Sequence, residues 1–271
     1  MKNLIIVRGG GDLATGTIYK LYKCGFPVLV LEVPRPSAIR RNVAFSEAVY
    51  EGTQRVEDVI CHLAESITDA EKLLTEGKLT MLTDPKGEAI ARLKPLAVVD
   101  AILAKKNLGT NRAMAPITVA LGPGFEAGRD VDAVVETQRG HNLGRVLWQG
   151  KAAPNTGIPG IIGGYGRERV IYSPAAGILR NVCHITDTVE KGQTIAFIER
   201  EAEKIPVTAT LDGLLRGLLR DGYPVPEGFK IADIDPRIHA YDNCFTVSDK
   251  SRCIAGGVVE AIMARKGVLG L

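Results

Sequence analysis

The sequence has no long apolar run. No stretch approaches the roughly 18–20 consecutive apolar residues needed to cross a bilayer, so neither a membrane-spanning helix nor a membrane partner is expected. Charge of one sign is also scarce: 34 Lys and Arg against 31 Asp and Glu leave a net +3 over 271 residues. A dedicated nucleic-acid binder gathers far more basic residues on one face, so no nucleic-acid partner is expected. Cysteines are few and odd in number. Cys24, Cys61, Cys183, Cys244 and Cys253 contain no C-x-x-C pair, which argues against a disulfide framework and a structural zinc site. Cys183 and His184 are adjacent, and neighbours on a strand point to opposite faces. They make a poor pair of ligands, and no metal site is expected. P-loop, G-x-S-x-G and H-E-x-x-H patterns are all missing, which disfavours the hydrolytic chemistries that use them. "MKNLIIV" (1–7) lacks the longer apolar region and cleavage site of a secretory signal. It reads as a strand, and the expected location is cytoplasmic.

Glycine, by contrast, is plentiful, with 30 residues. Three of them interrupt "IIVRGGGDLATGTI" (5–18) between an apolar run and a helical pattern. The helix is predicted over 12–25 and ends at Gly25. "PVLVLEV" (27–33), "LTMLTD" (79–84) and "APITVALGPG" (115–124) read as strands. Residues 55–77 read as one or two helices or turns, and 95–109 as a helix beginning near Pro95. Strands alternating with helices predict a Rossmann-like, doubly wound parallel sheet. Short strands and turns are expected over 132–150, and a Gly/Pro-rich loop over 153–169.

Further along, 173–199 and 207–235 form a near-repeat. Gly177 aligns with Gly213, Val189 with Val225, Gly192 with Gly228 and Ile198 with Ile234. Two such strand-turn-strand units can bury their inner faces against each other. A last helix is expected over 252–267. The expected organisation is an α/β domain over 1–170, a β-rich module over 171–237, and a segment over 238–271 whose helix packs back on the first domain.

The glycine turn carries the clearest chemistry. Gly9, Gly11 and Ala14 satisfy G-x-G-x-x-A between strand and helix. The first glycine permits the tight turn, the second lets a phosphate approach the backbone, and the small third residue lets helix and strand pack closely. With Gly10 they present amides at a helix N-terminus, which favours an anion. Asp12 is less comfortable beside a pyrophosphate and is read as a helix cap. A phosphate-free turn is the plain alternative.

Glu32 stands 21 residues after Gly11, about where an acid would hold the ribose hydroxyls of NAD. Arg35, Arg40 and Arg41 follow it and suit a 2′-phosphate or another multiply charged anion. A solvated basic loop would have the same composition. NAD(P) and a molybdopterin nucleotide both satisfy these features.

Three loops complete the candidate site. "ALGPGFEAGRDVD" (120–132) offers the turn glycines Gly122 and Gly124 and the charges of Glu126, Arg129, Asp130 and Asp132. "ETQRGHNLG" (136–144) offers Glu136, Arg139, His141 and Asn142. "PNTGIPG" (154–160) offers Asn155, Thr156 and several amides for a polar ligand. Glu126 and His141 are the acid–base candidates, His141 because it lies between turn glycines rather than in a core. Ordinary polar loops, or a linker in the last case, would look the same.

Two resemblances add to this. The repeat region resembles the biotinyl/lipoyl-type barrel-sandwich hybrid, and Leu211 in "ATLDG" (209–213) stands where a carrier domain has its modified lysine. The resemblance thus implies that fold without covalent biotin or lipoate. "VRGGGDLATGTIYKLYKCGFPV" (7–28), "PSAIRRNVAFSEAVYEG" (36–52), "ALGPGFEAGRDVDAVVETQRGHNLGRV" (120–146) and "PNTGIPG" (154–160) together resemble the YqeB family, over nearly the full length. That family consists of accessory proteins of the selenium-dependent molybdenum hydroxylase system. The resemblance implies a role in maturing or inserting the molybdenum cofactor, in particular its labile selenium, with the apo-hydroxylase as partner. It brings no catalytic residues with it. An NAD(P)-dependent oxidoreductase and a non-enzymatic delivery scaffold remain alternatives, and assembly into a homo-oligomer stays open.

Overall fold

The structure, a computed structural model, describes residues 1–200 and 203–270. Two compact units are present. The first comprises 1–36, 44–156 and 247–271, and the second 37–43 and 157–246.

In the first unit the strands are β1 (Ile5–Arg8), β2 (Val28–Glu32), β3 (Thr53–Val56), β4 (Val59–Ala64), β5 (Leu79–Thr83), β6 (Ala97–Asp100), β7 (Ile117–Leu121), β8 (Glu126–Ala127), β9 (Ala133–Val135), β10 (Val146–Leu147) and β11 (Gly150–Lys151). Its helices are α1 (Asp12–Lys23), α2 (Ala48–Glu51), α3 (Ile67–Thr75), α4 (Glu88–Leu93) and α5 (Asp249–Leu269). Nine strands form one sheet in the order β10-β9-β7-β6-β1-β2-β5-β4-β3. The seven from β9 to β4 run parallel, and antiparallel hairpins close both edges through β10 and β3. The central strands are continuous apolar runs because both faces are covered. Ile5, Ile6, Val7, Val28, Leu29 and Val30 are fully buried.

Local chemistry sets the helix ends. Ser66 caps α3 by accepting the Asp69 amide, and Ser248 caps α5 by accepting the Ser251 amide, each satisfying one orphan N–H. The Asp84 carboxylate accepts the amides of Gly87, Glu88 and Ala89 at the start of α4. Helix α5 packs beside α1 at a contact only glycine allows. A Cβ on Gly16 would lie 2.3 Å from Ser251 Oγ. On its other side α5 meets the chain before β10, where a Cβ on Gly257 would lie 2.2 Å from the Gly144 carbonyl oxygen.

The second unit holds β12 (Val170–Tyr172), β13 (Gly177–Asn181), β14 (Thr188–Val189), β15 (Thr194–Arg200), β16 (Glu203–Thr208), β17 (Gly213–Leu218), β18 (Pro224–Val225) and β19 (Lys230–Asp235). They form two four-stranded antiparallel sheets, β12-β19-β17-β14 and β16-β15-β13-β18, over one apolar core that includes Leu179, Ile198, Leu215 and Ile234. The sequence repeat is visible here. Gly177 pairs with Val225 and Gly213 with Val189, so each half lends a strand to the other's sheet. Neither glycine tolerates a Cβ. At Gly177 it would meet Glu199 O and Ile198, and at Gly213 Asp235 O and Ile234.

Several expectations are corrected. The fold is a large mixed sheet plus small antiparallel sheets, not a Rossmann-like doubly wound parallel sheet with a biotinyl/lipoyl-like barrel-sandwich module. Strand periodicity locates strands but carries no information on which neighbours they take or in which direction. Residues 95–109 are not a helix. Ala97–Asp100 is the buried strand β6 between β1 and β7, and the loop after it turns through left-handed Leu103 and Lys105. A short apolar run reads as strand or helix with equal ease, and burial on both faces decides for strand. Residues 55–77 begin within the β3–β4 hairpin, and only their second part is helical. Asp12 is the first residue of α1 and Gly11 is its N-cap.

Candidate functional site

The strand order reverses at β1, which has β2 on one side and β6 on the other. In open α/β sheets the crevice beyond the strand C-termini at such a point is where ligands bind. Here it carries the glycine turn. Gly9 has φ +93°, and a Cβ there would lie 3.0 Å from the Ala101 carbonyl oxygen. Glycine is therefore required both by the backbone and by the close approach of the loop after β6. A Cβ on Gly10 would meet Met81 Cε at 2.8 Å and the Ser46 amide nitrogen at 3.2 Å. Gly11 differs, because nothing lies within 4 Å of its Cβ position. Two of the three glycines thus serve packing and the third faces open space. Ala14 is buried under the turn.

Glu32 at the end of β2 reaches back to this turn. Its Oε1 accepts the Gly10 amide at 2.8 Å, and its Oε2 accepts the Val33 amide at 2.6 Å. Burial pushes its carboxyl above the ordinary carboxylate range, against the pull of the two amides. One glycine-turn amide therefore already holds an anionic partner. The Gly9 amide is likewise taken, by the Leu31 carbonyl at 2.8 Å.

Beneath the turn lies a buried polar group that the sequence did not reveal. Arg8 Nη1 donates to Thr110 Oγ1 at 2.5 Å, Thr110 Oγ1 donates to Asp100 Oδ2 at 2.5 Å, and Arg8 lies 3.8 Å from Asp100. All three are buried. Burial raises the Asp100 carboxyl, while the Thr110 hydroxyl, the Ile102 amide and the Arg8 charge oppose it. The group ties β1, β6 and the loop after β6 together beneath the crevice.

The expected loops meet through Glu136. Its Oε1 accepts the Thr137 and Gln138 amides at 2.7 Å each, and its Oε2 accepts the Ala153 amide at 2.8 Å. Gly122 (φ +72°) abuts Thr137, whose Oγ1 would be 2.5 Å from an added Cβ. The 121–124 turn, the 136–142 loop and the start of the 153–160 segment are thereby joined. His141, Asn155 and Thr156 are exposed on these loops. Gly124 (φ +111°) packs on the backbone of Lys105 and Lys106. Glu126 lies 3.1 Å from Arg129 and 3.5 Å from Lys151, and Asp132 binds Arg112, Arg265 and Thr118. These charges organise turns.

Arg40 and Arg41 belong to the second unit. There Arg40 donates to the Asn243 carbonyl and Arg41 to the Leu218 carbonyl, each at 2.8 Å. Lys250 went unnoticed in the sequence because "VSDKSRC" matches no motif. It sits in the first turn of α5, where burial and then Arg139 push its amine below the ordinary lysine value. Among the described residues no three His, Cys, Asp or Glu side chains are grouped to hold a metal ion, and no helix is long and apolar enough to cross a membrane. A hollow of about 640 Å³ lined by Met1, Leu4, Pro27, Leu74 and Arg92 lies at the strand N-termini, away from the glycine turn.

The fold and crevice define an α/β protein with a glycine turn at the reversal of a mixed sheet. No family model matches the chain. Over 261 residues it is 51% identical to the uncharacterized protein YqeB of Escherichia coli (strain K12), which covers 96% of this chain. This supports the YqeB family for the stretch the two share. The chain spans about half the length of that relative, 47%. Solved structures with some likeness include an aspartoacylase family protein from Mesorhizobium loti (13% identity, TM-score 0.29, covering 85% of this chain and 84% of that one). A succinylglutamate desuccinylase/aspartoacylase from Rhodobacter sphaeroides has 13% identity and TM-score 0.27, covering 86% and 84%. The product-bound ectoine utilization protein EutE (DoeB) from Ruegeria pomeroyi has 11% identity and TM-score 0.24, covering 86% and 57%. At these scores the likeness carries no argument about activity.

Proposed function

We propose that this chain is an accessory factor in maturing or inserting the molybdenum cofactor of selenium-dependent molybdenum hydroxylases, with the labile selenium as the part it serves. It binds a phosphorylated cofactor, a molybdopterin nucleotide, at the glycine turn, and its partner is the apo-hydroxylase. The pathway comes from the YqeB resemblance. The observation that carries the binding claim is Gly11, an N-cap with open space in front of it at the end of a central strand. Gly11 and the first amides of α1 would hold the phosphate, and the loops gathered by Glu136 would line the site.

The test is calorimetric titration with molybdopterin cytosine dinucleotide, NAD+ and NADP+. Binding of the first, abolished in Gly11→Glu, is the expected result. Failure of all three to bind overturns the claim. Glu32 favours a second reading, an NAD(P)-dependent oxidoreductase, because an acid stands at the end of β2. Turnover of NAD(P)H with a small carbonyl substrate would establish that reading instead. A non-enzymatic scaffold would associate stably with the apo-hydroxylase and tolerate substitutions in the site loops.

A further inference from the structure

The chain leaves the first unit after Pro36 and re-enters it at Ala44, and residues 37–43 belong to the second unit. There they are held at three points. Ile39 O accepts the Leu218 amide at 2.9 Å, Arg41 Nε donates to the Leu218 carbonyl at 2.8 Å, and Arg40 Nη2 donates to the Asn243 carbonyl at 2.8 Å. Gly217, beside a bulge in β17, lets the segment lie close. A Cβ there would be 2.8 Å from Ile39 Cγ2 and 3.3 Å from the Ile39 carbonyl carbon. Glycine inside a strand often marks such a close approach of backbone.

Both ends of this segment run to Gly10. Upstream, Val33–Pro36 joins it to Glu32, whose Oε1 accepts the Gly10 amide at 2.8 Å. Pro34 and Pro36 stiffen that limb, and the Tyr50 hydroxyl donates to the Pro36 carbonyl at 2.8 Å. Downstream there is no slack. Val43, Ala44, Phe45 and Ser46 are fully buried. The Phe45 amide donates to Thr15 Oγ1 at 2.9 Å, and the Ser46 amide donates to the Gly10 carbonyl at 2.9 Å. The amide and the carbonyl of Gly10 are thus each held by a residue that flanks the anchored segment. Energetic coupling runs through contiguous hydrogen bonds and packed groups, and here the covalent chain completes the path. We infer that residues 37–43 are a strap by which the second unit controls the glycine turn: loosening its anchorage at Leu218 and Asn243 loosens the hold on Gly10. The second unit is thereby a regulator of the turn. The strap acts whatever the turn binds, so it goes beyond the binding reading above and does not depend on it.

The test is amide hydrogen exchange on the full chain without ligand, comparing wild type with Gly217→Ala, Arg41→Met and Ile198→Val. The first two disturb the anchorage of the strap inside the second unit. Ile198→Val trims the core of that unit away from the strap. In Gly217→Ala and Arg41→Met the amides of Gly10, Phe45 and Ser46 should exchange about fivefold or more faster, while β5 exchanges as in wild type. Ile198→Val should leave those three amides unchanged. If Gly217→Ala does not fold, Arg41→Met decides. Faster exchange confined to 37–43 and 214–219 would overturn the strap, and so would an equal effect of Ile198→Val, which would show loosening of the whole second unit. Because no ligand is present, either result leaves the binding claim to its own titration.

Discussion

The Glu32 carboxylate accepts the Gly10 amide at 2.8 Å, so the end of β2 supplies an anion to the turn that follows β1. Removing it leaves a buried donor without a partner. Glu32→Ala should destabilise the protein by about 1–3 kcal/mol, read as a shift in urea midpoint at constant slope. The pH dependence follows from the raised carboxyl. The native state holds this proton more tightly than the unfolded chain, so the Glu32 contribution is fully present below the unfolded pKa and is lost as pH rises through the raised one. Urea titrations from about pH 4 to about pH 8 should show this loss in wild type and not in Glu32→Gln. Identical profiles would show that Glu32 does not titrate in that way.

The glycines of the turn should separate by role. Gly9→Ala forces a left-handed φ and a 3.0 Å approach to Ala101, and should cost more than about 1 kcal/mol. Gly11→Ser has room and supplies a better N-cap, so its stability should stay within about 1 kcal/mol of wild type. Thermal melts of the two variants decide this, and equal losses would contradict the assignment.

The α1–α5 contact predicts a negative coupling. Gly16→Ala places a Cβ against Ser251 Oγ and should destabilise by about 1–3 kcal/mol, as overpacking does. Ser251→Gly removes the obstructing side chain, so the double variant should be more stable than the sum of the singles predicts. Additive losses would show that the Gly16→Ala penalty does not arise from the Ser251 side chain.

The buried Arg8–Thr110–Asp100 group predicts an asymmetry. Asp100→Ala leaves Arg8 with no opposing charge and should cost about 3–5 kcal/mol. Replacing both charges, as Arg8→Met with Asp100→Leu, should recover most of that loss. A double variant as unstable as the single would show that the loss lies in the packing of β6 and not in the stranded charge.

The glycine turn, β2 ending in Glu32, and the near-repeat of 173–199 and 207–235 were all legible because each is a local pattern. A turn needing φ > 0 selects glycine, and a repeated unit repeats its glycines. Direction and neighbour were not legible. The apolar run at 97–100 fits helix or strand equally, and only burial between β1 and β7 makes it β6. Arg40 and Arg41 follow β2 in sequence, yet their guanidinium groups bind carbonyls 203 and 177 residues away.

By itself, the sequence determined the crevice's backbone, since three consecutive glycines between strand and helix dictate a tight turn. The tertiary structure decided which groups meet there. It brought Thr110 to Arg8 across 102 residues, and Ser251 to the first turn of α1 across more than 200. Such pairings depend on the order and direction of strands and on which helix faces meet. Those are properties of the packed whole, and no short window of residues encodes them.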